Sequence, residues 1–165
     1  MSKIRFPVLG VATVILLGAF SISGLSQDLL TEKVMSLEMA QTIAQAAIAK
    51  CRADNYHVAV TVLDGAGQLR AFLRDDGAGL QTVDVSHRKA YTALIMRRTS
   101  GEQAKAWAAM NPVPVIEGTI PIAGGVPIKV GNEVIGSVGV SGAPGGDKDE
   151  ACASAGVAKV ADKLK

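Results

Sequence analysis

The chain has 165 residues, is 48% hydrophobic and carries 17 Lys and Arg against 15 Asp and Glu, which is apolar material for one domain core but not two. Lys3 and Arg5 are the only charges among the first 26 residues, so from Gln27 onward the balance is 15 against 15. A neutral body whose one compact basic pair is Arg97–Arg98 lacks the clustered positive surface of a nucleic-acid binder, and no such partner is expected.

Residues 1–26 read as a secretory leader. Two basic residues precede the uninterrupted apolar run from Val8 to Phe20, and small residues follow in "SISGLS". The run is shorter than the ~20 residues a bilayer-spanning helix needs. The expected location is therefore periplasmic or secreted, or membrane-tethered if the leader stays uncleaved. Residues 27–35 form a linker, and a single domain over 36–165 follows.

Ser36 is placed to cap a helix over "LEMAQTIAQAAIAKC", in which Ala40, Ile43, Ala44, Ala47 and Cys51 share one face. Two β-rich runs then flank Asp64-Gly65-Ala66-Gly67, a hairpin connection. A second helix is expected over about Val83–Arg98, with Val83, Ala90, Ala93 and Leu94 inward. Ser100, with Gln103 three positions on, reads as the cap of a short third helix, which Asn111-Pro112-Val113-Pro114 stops.

Three strands follow: Ile120 to Ala123, then "VPIKV" and "EVIGSVGV" joined by a Gly131-Asn132 turn. Asp147, with Glu150, reads as the capping box of a last helix whose apolar face continues through Val157, Val160, Ala161 and Leu164. Short loops and many turn signals favour an α+β domain with an antiparallel sheet over a doubly wound nucleotide fold.

The glycines of "PIAGGVPIKVGNEVIGSVGVSGAPGGDKDE" do not make a nucleotide loop. Gly136, Gly139 and Gly142 are spaced GxxGxxG, and no Lys-Ser or Lys-Thr pair follows. Ser141 lacks the GxSxG order of a nucleophile elbow. Turns and close strand approaches account for most of these glycines. The backbone N–H groups around Ser141 and Gly142, near a helix start, also offer a place for a ligand carboxylate.

His57 and His87 are the only histidines, which excludes a three-histidine zinc site within one chain. His87 and Tyr91, four apart, put an imidazole and a phenol on one helix face. No CxxCH is present, so haem could be held only non-covalently, by one axial side chain and an apolar slot. Carboxylates that could do acid–base work (Asp64, Asp75, Asp76, Asp84, Glu117, Asp147, Asp149) form no recognisable catalytic set. Cys51 and Cys152, 101 positions apart, could form one disulfide in an exported chain. Their helical patterns favour instead two small buried residues.

Three segments, "VAVTVLDGAGQLRAFLRDDGA", "DVSHRKAYTA" and above all "IPIAGGVPIKVGNEVIGSVGVSGAPGGDKDEACASAG", resemble the GlcG/HbpS-like family, which is related to the C-terminal domain of PduO-type proteins. That resemblance implies a profilin-like three-layer α/β/α arrangement around a five-stranded antiparallel sheet, and a dimer or larger homo-oligomer. It also implies haem or a related tetrapyrrole as ligand, with the leader fitting the exported, redox-sensing branch and a membrane sensor as a further partner. On this reading His87 or His57 supplies the axial nitrogen to the iron, Lys89 meets a propionate, and Tyr91, Ser141 and Gly142 line the site. Two alternatives stand beside it: a small-molecule enzyme acting on an organic acid, aldehyde or aromatic compound, and a ligand-free assembly module. Catalytic residues are not assigned.

Overall fold

The computed structural model describes residues 30–114 and 116–165; the leader expected over residues 1–26 lies outside them. Residues 32–165 form one compact unit. Its elements in chain order are α1 (Leu37–Ala53), β1 (Ala59–Asp64), β2 (Leu69–Arg74), α2 (Thr82–Met96), α3 (Ser100–Ala108), β3 (Gly125–Val130), β4 (Glu133–Ser141) and α4 (Gly146–Ala158), with a 3-10 turn at Ala161–Lys163.

The four strands form one antiparallel sheet in the order β2-β1-β4-β3. The period of two sorts each strand between two layers of helix. Val60 and Val62 of β1, with Val138 and Val140 of β4, meet Ala40, Ile43, Ala44, Ala47 and Ile48 of α1 and Cys152 and Ala153 of α4. The opposite face is small and polar, and α2 lies on it. A Cβ on Gly139 would come within 2.1 Å of the Ser86 carbonyl oxygen, and one on Gly125 within 2.0 Å of the Lys89 carbonyl oxygen. The helix backbone rests almost directly on the sheet, where only a missing side chain leaves room.

That close approach determines what α2 buries. Its inward residues are Thr82, Ser86, Lys89, Ala90, Thr92, Ala93 and Leu94, whereas Val83, expected inside, is exposed. Hydroxyls replace bulk there: Thr61 and Ser86 bond at 2.8 Å, and Thr92 Oγ1 accepts from the Ile120 N–H at 2.9 Å.

The sheet has four strands rather than five. Ile120 to Ala123 is the missing one, because side chains take the backbone groups a ladder would have used. Thr92 holds Ile120 on both sides, and Ser100 Oγ donates to the Ile122 carbonyl at 2.8 Å while accepting from the Gly125 N–H at 2.7 Å. Ser100 is thereby unavailable as a cap. The α3 capping box is one residue earlier, Thr99 with Glu102.

α4 is likewise capped by Gly145 without a side-chain bond, not by Asp147. Glu150 turns away to accept from the Gly101 N–H at 3.1 Å and the Gly124 N–H at 3.4 Å. Ser36 does cap α1, accepting from the Met39 N–H, and the Asp64 hairpin is formed, with Asp64 Oδ1 accepting from Ala66 and Gln68. Cys51 and Cys152 are joined as a disulfide linking α1 to α4, with 5.6 Å between their Cα atoms. Their helical spacing, read as two separate buried residues, is what brings the two helix faces together.

Candidate functional site

The outer face of α2 carries Val83, His87 and Tyr91 at four-residue spacing, above the open side of the edge strand β2. α2 covers β4 and β1 but leaves the same face of β2 bare, so Leu69 and Phe72 stay exposed. Leu80, in the turn entering α2, is 83% exposed beside them. These residues, with Thr61, Val83, Asp84 and His87, line a depression of about 500 Å³. A neighbouring one of about 260 Å³ is lined by His87, Tyr91, Glu117 and Gly118. A third, of about 280 Å³, contains Tyr91, Leu94, Ile95, Arg97, Val134 and the Gly65–Gly67 turn. His87 borders the first two and Tyr91 the last two, so the three follow one another along the helix as a segmented groove.

The Tyr91 ring lies against two glycine turns. A Cβ on Gly118 would be 3.2 Å from it and one on Gly67 would be 3.7 Å from it, and both glycines have positive φ, 78° and 77°. Side chains are therefore disfavoured at both positions, and the ring stands between bare backbone turns.

Lys89, expected to reach a ligand acid group, points the other way. Its side chain is 2% exposed, and Nζ donates to Asp149 Oδ2 at 2.6 Å; Asp149 Oδ1 accepts from the Ala143 N–H at 2.9 Å. Burial pushes the Asp149 carboxyl upward, against the Lys89 ammonium and the backbone donors that favour its charge. The backbone position expected to hold a ligand carboxylate is thus filled from within the chain, by Asp149. Ser141 is buried at the end of β4. Gly142, with φ of 137°, approaches so closely that a Cβ there would lie 2.4 Å from the His57 carbonyl oxygen.

His57 lies in different surroundings from His87. Its Nδ1 is 3.4 Å from Asp75 Oδ2, and Asp75 also accepts a two-pronged contact from Arg52. The Arg52 guanidinium, more than the imidazole, holds the Asp75 carboxyl down at about 2. His57 therefore lies beside the Arg52–Asp75 ion pair, while His87 stands exposed beside an apolar shelf. Among the described residues no group of three or more His, Cys, Asp or Glu could hold a metal ion, and no helix is long and apolar enough to cross a membrane.

The six residues proposed from the sequence thus separate. His87 and Tyr91 share the groove, Lys89 is inside the protein, and His57, Ser141 and Gly142 cluster at the start of β1. The groove's apolar wall and its Arg97 end carried no sequence motif. The exposed large side chains at Leu69, Phe72 and Leu80 become a surface only once β2 is placed at the sheet edge.

Residues 35–158 match the model of the family described as "Haem degrading protein HbpS-like". The chain belongs to the HbpS-like family. Among curated proteins it is similar to the protein GlcG of Escherichia coli K12, 32% identical over 112 residues, which are 67% of this chain and 84% of GlcG. The crystal structure of HbpS superimposes with a TM-score of 0.76 at 38% identity, covering 79% of this chain and 93% of that one. The PduOC:haem complex shares the fold at a TM-score of 0.69 and 19% identity, over 77% and 95% of the two chains. The HbpS-like match spans all four strands and all four helices.

Proposed function

We propose that this chain is an exported, homo-oligomeric protein that binds haem or a related tetrapyrrole non-covalently along α2, with His87 as the axial donor. The observation that carries this reading is His87 itself, an exposed imidazole set between an apolar shelf and a tyrosine. An axial nitrogen beside apolar surface is the donor set a non-covalent haem needs, and the depression of about 500 Å³ is within the usual range for small-ligand sites. The residues present fit the group. Bound haem would supply an iron centre open to redox change.

The chain's own residues would do the holding. Leu69, Phe72, Leu80 and Val83 present apolar surface to the ring, His87 offers a nitrogen, and Tyr91 stands beside it. Family membership supports the ligand class, as does the haem carried by PduOC. Export is supported by the leader pattern and by a fully buried disulfide, a bond that persists in oxidising compartments.

Titrating the purified protein with haemin tests the site. A saturable Soret shift is expected, with His87→Ala weakening binding by at least about tenfold, or ~1.4 kcal/mol, and changing the band position. His57→Ala should leave both unchanged. Unsaturable binding, or a His87→Ala spectrum identical to that of the unaltered protein, overturns the assignment.

A further inference from the structure

The third depression, beyond Tyr91, has no role in axial ligation, and it ends at a cation. Arg97 closes α2 in the left-handed region with φ of 56°, where glycine or asparagine is the usual occupant. A residue held there against its backbone preference directs attention to its side chain. The guanidinium reaches towards the β3–β4 turn, donating to the Asn132 carbonyl at 3.4 Å, and so lies across the end of the groove.

Its charge is also unspent. Lys50, Arg52, Arg88 and Lys89 each have a carboxylate partner, whereas no ion pair among the described residues includes Arg97. The rest of that compartment is a glycine turn and apolar side chains, Leu94, Ile95 and Val134, with the edge of Tyr91. An unpaired planar cation beside a backbone turn and a few apolar side chains suits a carboxylate, since a guanidinium can bond both carboxylate oxygens at once.

We propose that Arg97 receives an acid group of the ligand, the role that Lys89 cannot fill. The groove then reads its ligand at two places on one helix: His87 recognises the metal and Arg97 the carboxylate. They are ten residues apart, ~15 Å along the axis at ~1.5 Å per residue, with Tyr91 between them. This inference rests on the haem reading above. It adds that acidic tetrapyrroles are preferred over their esters.

The test compares haemin with haemin dimethyl ester, binding each to the unaltered protein and to Arg97→Asn, Arg98→Asn and His87→Ala. Asparagine tolerates the left-handed conformation, so the helix end is kept while the cation is lost. Arg97→Asn should weaken haemin by about tenfold, the effect of losing one charged hydrogen-bonding partner, and leave the ester's affinity and the Soret position unchanged. Arg98→Asn, outside the groove lining, should change neither ligand, and His87→Ala should weaken both. If the unaltered protein binds haemin saturably but Arg97→Asn affects both ligands equally or neither, the Arg97 role is overturned and the haem reading stands. Failure of the unaltered protein to bind haemin overturns both.

Discussion

Lys89 is the largest fully buried side chain among the described residues, and its ammonium has one carboxylate partner there, Asp149, sixty residues away in sequence. The pair joins α2 to the first turn of α4 through the end of the sheet. Desolvating two charges offsets much of their attraction, so the pair itself adds little net stability, but either charge left alone is costly. Lys89→Met or Asp149→Leu should each destabilise the protein by ~3–5 kcal/mol in urea unfolding, and the double variant by clearly less than the sum. Additive losses would show that the two do not act as a buried pair. The sequence presents Lys89 as one more polar residue of an amphipathic helix. Helical spacing assigns Lys89 a direction, but the depth of α2 on the sheet decides whether that direction leads to solvent.

At the level of elements, the packing of α2 on the sheet depends on what the strands lack. Gly125 and Gly139 let the helix backbone approach, and the hydroxyls of Thr61, Ser86 and Thr92 fill the remaining space with bonded polar groups. Gly125→Ala must move α2 or β3, because the new carbon would meet the Lys89 backbone carbonyl rather than a flexible side-chain end. A loss of ~3 kcal/mol or more in chemical denaturation is expected. Gly131→Ala is the contrasting case, with nothing within 4 Å and only a φ of 59° to strain it, so a loss of ~1 kcal/mol is expected. Equal losses in the two variants would refute the close-approach account. Turn glycines such as Gly131 are legible from their neighbours in sequence. Gly125 and Gly139 read only as tolerable in strands, and their necessity is a property of the helix above them.

For the whole molecule, the Cys51–Cys152 disulfide spans 101 positions and links α1 to α4 on the face of the sheet away from the groove. Closing a loop of that length removes much of the freedom of the unfolded chain, by ~4–5 kcal/mol in the chain-entropy account. The Cys51→Ala/Cys152→Ala variant should therefore unfold at markedly lower denaturant, yet bind haemin as the unaltered protein does. A loss of binding without loss of stability would place the disulfide in function instead. The same division separates the molecule's two faces: α1 and α4 build the core, and α2 carries the groove.

The four helices and four of the five expected strands, the antiparallel sheet, the Ser36 cap, the Asp64 hairpin and the family were all present in the sequence, because each depends on residues near one another in the chain. Three things were decided only by the tertiary structure. The fifth strand is replaced by side-chain anchoring, because Thr92 and Ser100 reach the backbone of Ile120 and Ile122. Lys89 is withdrawn from the site, because Asp149 meets it inside. The groove exists because α2 stops short of β2, leaving Leu69 and Phe72 uncovered beside His87 and, past Tyr91, Arg97 without a carboxylate partner among the described residues. Each depends on distances between residues fifteen or more positions apart, which local pattern does not encode.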